Sequence, residues 1–174
     1  CQDFSINGKR AGTAGARSGL YRAMIEAVSR IKPRVFVAEN VKGLLQKYNR
    51  DALCEVVSAF ESLGYEVSYN LYLAADYGVP QMRERVFFVG TRPGAKPFKP
   101  PKPAVKREDW ITALEAIGDL AEIGENPDFN HIWSRAARSP EQGNRILKAD
   151  KPSDTIRAEC HGNIQFHYEL DRRI

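Results

Sequence analysis

Cysteine is scarce: three in 174 residues, at positions 1, 54 and 160, with no C-x-x-C pair among them. An odd number cannot all pair, and the spacing suits neither a disulfide scaffold nor a structural zinc site, so a reducing compartment is the default. Long apolar stretches are missing too. A run such as Val35-Phe36-Val37-Ala38 falls far short of the roughly 18 residues of a membrane helix. The first twenty residues are polar, glycine-rich and basic, so no signal peptide is expected, and a cytoplasmic protein without a membrane partner follows. No two of the 13 glycines stand two apart, which removes the G-x-G core of the dinucleotide-binding fingerprint. Neither charge dominates: 26 Lys and Arg face 22 Asp and Glu, a formal +4. With 43% hydrophobic residues, the chain is long enough to bury one core and leans only mildly towards anionic partners.

The first half reads as alternating helices and strands. From Arg17 to Ile31 the apolar residues Leu20, Tyr21, Met24, Ile25, Val28 and Ile31 recur at helical spacing, and Lys32-Pro33 ends the helix. Val35 to Ala38 then form a short apolar run, as in a strand buried on both faces of a parallel sheet. Asn49 or Asp51 is placed to cap a second helix with a buried stripe of Leu53, Val56, Val57, Phe60 and Leu63, closed by Gly64. Cys54 lies within that stretch and is expected to be a core thiol. Tyr65, Val67, Tyr69, Leu71 and Leu73 alternate as a strand does, and Val86 to Val89 make another buried run. Such βαβ grammar predicts an open, doubly wound α/β sheet. Chemistry in these sheets gathers just beyond the carboxyl ends of the strands, a rule that singles out Glu39 and Asn40.

Residues 92–107 carry six basic residues, no acid and five of the ten prolines. Proline at that density blocks helix and central strand alike, so the segment is an extended connector. A solvated linker is the favoured reading over a basic strap along a nucleic-acid backbone. It separates a domain over 1–91 from a smaller, irregular region over 108–174. There, Thr112-Ala113-Leu114-Glu115 is a capping-box helix start ending at Gly118. Cys160, His161 and His167 are close in sequence but match no zinc spacing, so no metal is expected.

Four short motifs occur in order: Cys1-Gln2-Asp3-Phe4-Ser5, then Glu39-Asn40-Val41, then Gln81-Met82-Arg83-Glu84-Arg85, then Pro152-Ser153-Asp154-Thr155-Ile156-Arg157-Ala158. Each alone is weak. Together, and closed by Arg172-Arg173-Ile174, the set resembles the DNA (cytosine-5)-methyltransferase family from its nucleophile loop through its target-recognition region. The resemblance implies part of a Rossmann-like S-adenosylmethionine-dependent methyltransferase sheet with a small, irregular recognition region. It also implies methylation of double-stranded DNA, as in restriction–modification.

It assigns roles as well. Carbon 5 of cytosine is a poor nucleophile until a thiolate adds to carbon 6, and by resemblance Cys1 is that thiolate. Glu39 matches the carboxyl that serves ring nitrogen 3 of the base. Arg85, with Arg83, matches the pair that stabilises negative charge near the base oxygen and the sulfur. Asn40 is expected to hold loop geometry. The target base must leave the duplex stack to be reached. Gly8, Gly12, Gly15 and Gly19 punctuate the first loop and predict that it moves. Gln2, Lys9, Arg10, Arg17 and Thr155 are the DNA-contact candidates, and Leu20 is the cofactor-pocket candidate. Base-reading residues are not assignable among Arg135, Arg138, Asn144, Arg145 and Arg157. The family's glycine-rich cofactor turn has no counterpart here, so an incomplete S-adenosylmethionine pocket is expected, with weak or no cofactor binding and no turnover by the chain alone. A complementary N-terminal fragment or self-association would supply the rest. The competing reading is a DNA-binding remnant without chemistry, or one subunit of a split methyltransferase.

Overall fold

The computed structural model describes residues 20–123, 145–156 and 165–169, with nothing of Leu20 beyond its backbone. These residues divide into two compact units. The first comprises the residues up to Tyr72 together with Glu84–Lys102; the second comprises Leu73–Arg83 and the residues from Pro103 onward.

In the first unit, α1 (Leu20–Ile31) leads into β1 (Val35–Val41), and α2 (Arg50–Glu61) into β2 (Glu66–Leu73). Gly64, at φ +83°, makes the turn between α2 and β2, a backbone conformation that costs a residue with a Cβ. β4 (Glu84–Thr91) completes a three-stranded sheet of order β1-β4-β2. It runs antiparallel to β1, from Val35 opposite Thr91 to Val41 opposite Arg85. The α/β alternation is present, but β4 is inserted beside β1, so the βαβ unit does not bring its own two strands together.

Strand geometry sends alternate residues of β1 to opposite faces. Phe36 enters a core built from Val28, Leu44, Ala52, Val56, Phe60, Tyr65, Val86 and Phe88. Its ring lies 4.3 Å from Phe60 and 5.1 Å from Tyr65, the latter edge-on, and Tyr65 donates from its hydroxyl to the Pro33 carbonyl. Each such side chain removed from water contributes about 1.5–3 kcal/mol. The other face of β1 is open: Val35 and Val37 are 47% and 58% exposed. The expectation of a strand buried on both faces is therefore wrong. An all-apolar run of four residues does not distinguish a doubly covered strand from one with a single covered face.

Helix α2 buries Ala52, Val56 and Phe60, with Leu53 and Val57 packed at the margin. Cys54 is exposed. The core-thiol expectation fails because Cys54 sits two residues from Ala52 and from Val56, about 200° around the helix from each. Asn49 does occupy the position before α2, but its side chain makes no cap bond.

The second unit is built from short pieces. β3 (Gln81–Met82) pairs in parallel with β6 (Ser153–Asp154), and β5 (Arg145–Ile146) with β7 (Gln165–Phe166). α3 (Ala113–Ile117) and α4 (Leu120–Ile123) lie between them in sequence. α3 starts with a complete capping box: Thr112 accepts from the Glu115 amide while the Glu115 carboxylate accepts from the Thr112 amide. Leu147, Phe166 and His167 are buried.

Candidate active site

The carboxyl end of β1 and the amino end of β4 meet at Val41 opposite Arg85. On the face that carries Val35 and Val37, Glu39 and Arg85 are diagonal neighbours, and Arg85 Nε lies 2.6 Å from Glu39 Oε1. The Nε–H does not aim at that oxygen and has no aligned acceptor, so the contact is ionic rather than a directed hydrogen bond. Arg85 is held a second time, Nη1 donating to the Glu84 carbonyl at 2.8 Å. Its side chain is 19% exposed against 45% for Glu39. The guanidinium is thus the sheltered, fixed partner, and the carboxylate is the one that faces solvent.

Alternation separates a second ion pair from the first. Continuing the β1–β4 register one step places Lys42 opposite Glu84 on the covered side of the sheet. There Lys42 Nζ reaches both carboxylate oxygens of Glu84, at 2.7 and 2.8 Å. Glu84 is consequently engaged away from Arg85, and the Arg-Glu-Arg sequence does not collapse into a single charge cluster. Sequence reasoning missed Lys42 and Glu84; period-two alternation on either side of a β-pair end was the signal that could have found them.

Beyond Val41 the chain is pinned. Leu44 is fully buried, and Asn49, itself buried, donates from Nδ2 to the Gly43 carbonyl at 2.8 Å. Asn40 Oδ1 accepts the Val41 amide at 2.9 Å. These bonds stiffen the strand end from which Glu39 projects.

In the second unit, two motifs lie side by side. Pro80 O accepts both the amide and the hydroxyl of Ser153. Thr155 donates from Oγ1 to Met82 O at 2.8 Å, and Arg83 Nη1 donates to Ile156 O. Arg83 therefore belongs to this pairing, while Arg85 belongs to the first unit with Glu39. A cleft of about 520 Å³ opens in the same unit, lined by Met82, Arg107, Trp110, Arg145, Lys148 and Asp154 among others. Cys1, Gln2, Lys9, Arg10 and Arg17 lie outside the described residues, as do Arg135, Arg138, Asn144, Arg157, Cys160, His161 and the side chain of Leu20. Among the described residues, no group of three His, Cys, Asp or Glu could hold a metal, and no helix is long and apolar enough to cross a membrane.

Comparison with known proteins agrees with this geometry. The profile of the family described as C-5 cytosine-specific DNA methylase matches residues 1–169. The type II methyltransferase M.NgoFVII of Neisseria gonorrhoeae is 38% identical over 155 residues, covering 83% of this chain and 41% of that protein. M.FnuDI of Fusobacterium nucleatum is 41% identical over 173 residues, covering 91% of this chain and 50% of its own length. A crystal structure of a prophage-encoded DNA modification methyltransferase from E. coli superposes with TM-score 0.54 at 26% identity, over 72% of this chain and 36% of that one. The chain thus spans about half the length of the curated relatives it matches, or somewhat less. With the ordered motifs, the α/β sheet that carries Glu39 and Arg85, and a profile match over nearly its whole length, the chain belongs to the C-5 cytosine-specific DNA methylase family.

Proposed function

We propose that these residues form the base-binding and recognition portion of a DNA (cytosine-5)-methyltransferase acting on an extruded cytosine. The observation that carries the proposal is the Glu39–Arg85 ion pair, fixed at the end of two paired strands. The pair presents a carboxyl and a guanidinium side by side, suited to the polar edge of a pyrimidine.

In this reading the Cys1 thiolate adds to carbon 6, forming the sulfur–carbon bond and moving an electron pair towards ring nitrogen 3. Glu39 in its protonated form hydrogen-bonds that nitrogen and supplies the proton it takes up, which leaves it as the carboxylate that pairs with Arg85. Arg85 orients Glu39 and stabilises negative charge at the base oxygen. After transfer at carbon 5, loss of the carbon 5 proton expels the thiolate and restores the ring. Arg83 and Thr155 hold the recognition segment against residues 80–83, and Gln2, Lys9, Arg10 and Arg17 contact DNA. S-adenosylmethionine is the methyl donor that the family implies. Leu20 is the cofactor-facing candidate.

Covalent trapping on duplex DNA carrying 5-fluorocytosine tests the reading. The protein is a hybrid in which this chain replaces the matching stretch of M.NgoFVII, with the 174-residue chain assayed alongside. An adduct that forms with the hybrid and vanishes in Cys1→Ser is expected. Glu39→Gln should slow its formation by about 10²–10⁴-fold, the usual worth of a positioned acid. An adduct that survives Cys1→Ser, or forms as fast in Glu39→Gln, refutes the mechanism.

A further inference from the structure

Residues 96–103 read Lys-Pro-Phe, Lys-Pro-Pro, Lys-Pro, a three-residue repeat that coincides with the period of a polyproline II helix. The backbone has little choice here. Proline at 97, 100, 101 and 103 fixes φ near −65°. Lys96, Lys99, Pro100 and Lys102 each precede a proline, which holds them in the β or polyproline region. Phe98 alone is under neither constraint. The structure agrees: the stretch has no helix or strand, and every residue except the half-buried Phe98 is exposed. A polyproline II helix has three residues per turn, so Lys96, Lys99 and Lys102 share one side, Pro97, Pro100 and Pro103 a second, and Phe98 and Pro101 the third.

Neighbouring lysines on such a helix stand about 9 Å apart, three residues at about 3.1 Å each. Among the described residues no acid pairs with Lys96, Lys99 or Lys102. The whole segment 92–107 holds six basic residues and no acid, so the 20 basic residues elsewhere are outnumbered by 22 acids. The chain's excess of positive charge therefore resides in this segment.

We infer that Lys96, Lys99 and Lys102 form a pre-ordered cationic rail that contacts the phosphate backbone of duplex DNA. The inference rests on the proposed DNA substrate and extends it to a contact that none of the four motifs supplies. Proline replaces the flexible stem that a lysine cluster ordinarily has to order on binding, so less conformational entropy is lost when the phosphates are met.

The test is salt-dependent binding of the 174-residue chain to a fluorescent duplex, followed by anisotropy. The triple variant K96Q/K99Q/K102Q should lower the slope of log affinity against log salt by about 2.7, about 0.9 per phosphate contact. Between about 50 and about 200 mM salt, the unsubstituted chain then loses about 40-fold more affinity than the variant. K32Q/R34Q/R50Q removes three other exposed cations of the same unit and should leave the slope in place. P97A/P100A/P101A keeps the charge and should weaken binding several-fold at constant slope. The rail is refuted if the triple variant keeps the full slope, if the control set lowers it equally, if the proline variant binds as tightly, or if a polyglutamate peptide of equal charge displaces the duplex. The trapping hybrid carrying K96Q/K99Q/K102Q should still form its adduct in low salt. An unchanged slope with an intact adduct removes the rail alone, whereas a lowered slope without any adduct removes the methyl-transfer chemistry and spares the rail.

Discussion

Gly90 lies opposite Phe36 in the β1–β4 ladder, and the Phe36 ring lies across it. A Cβ built there would come within 2.7 Å of Phe36 Cδ1 and nearer still to Cε1 and Cζ, where carbon atoms otherwise keep about 3.5–4.0 Å. The φ of Gly90 is not in the left-handed region, so the requirement is for space. Relief demands that the ring retreat by about 1 Å or more, yet Phe60 at 4.3 Å and Tyr65 at 5.1 Å stand behind it. Overpacking of this kind costs about 1–3 kcal/mol. Gly90→Ala should therefore speed amide hydrogen exchange in β1 and β4 by about 5- to 150-fold, since 1.4 kcal/mol is a factor of ten. Phe36→Leu in the same chain should return part of the loss, giving a coupling of about 0.5–3 kcal/mol in the double-mutant cycle. Unchanged exchange in G90A, or losses from the two substitutions that simply add, would refute the account. The functional cost follows from the register: the same ladder sets Glu39 beside Arg85, so a displaced β4 moves one member of that pair against the other.

Three further outcomes are expected. Asn49→Ala should destabilise the first unit by about 1–3 kcal/mol in urea unfolding, because it strands the buried Gly43 carbonyl. Asn49→Ser keeps a capping side chain but should not recover the loss, which separates the observed role from helix capping. Cys54, exposed on α2, should be alkylated by iodoacetamide in the folded chain at nearly the rate of a free peptide, and Cys54→Ser should change stability by less than about 0.5 kcal/mol. Hydrogen bonds from Thr112 hold the Glu115 carboxyl below its ordinary value of 4.5. Its contribution to α3 is therefore present above that pH and is lost as pH falls through the lowered folded value. Protection factors of the α3 amides, corrected for the intrinsic slowing of exchange in acid, should fall on acidification through that range, and Thr112→Val, which keeps the backbone amide that contributes most, should reduce the dependence without abolishing it.

Much of this was legible from residue order alone. Helix α1, the strand ending at Glu39-Asn40, the turn at Gly64 and the capping box of α3 each follow from local signals that tertiary structure does not contradict. What escaped was decided by partners far along the chain. The open face of β1 depends on what packs there, not on its own four apolar residues. Asn49 looked like a cap because the residue before a helix is usually one, yet a carbonyl six residues back took its amide. Glu84 sat unread between two arginines until Lys42, 42 residues away, was set against it. For the candidate site, resemblance carried the choice of Glu39 and Arg85, and the antiparallel register supplies the physical reason why these two can touch.

The pairing of residues 80–83 with 153–156 bears on how the protein is made. Its hydrogen bonds join groups 73 residues apart, with the last strand of the first unit encoded in between. At about 5–20 residues per second, a ribosome takes about 4–15 s to deliver the second partner after the first. During that interval β4 can already settle against β1, while Pro80 to Arg83 wait without a mate. The second unit is thereby obliged to assemble late, after the strands of the first have been delivered.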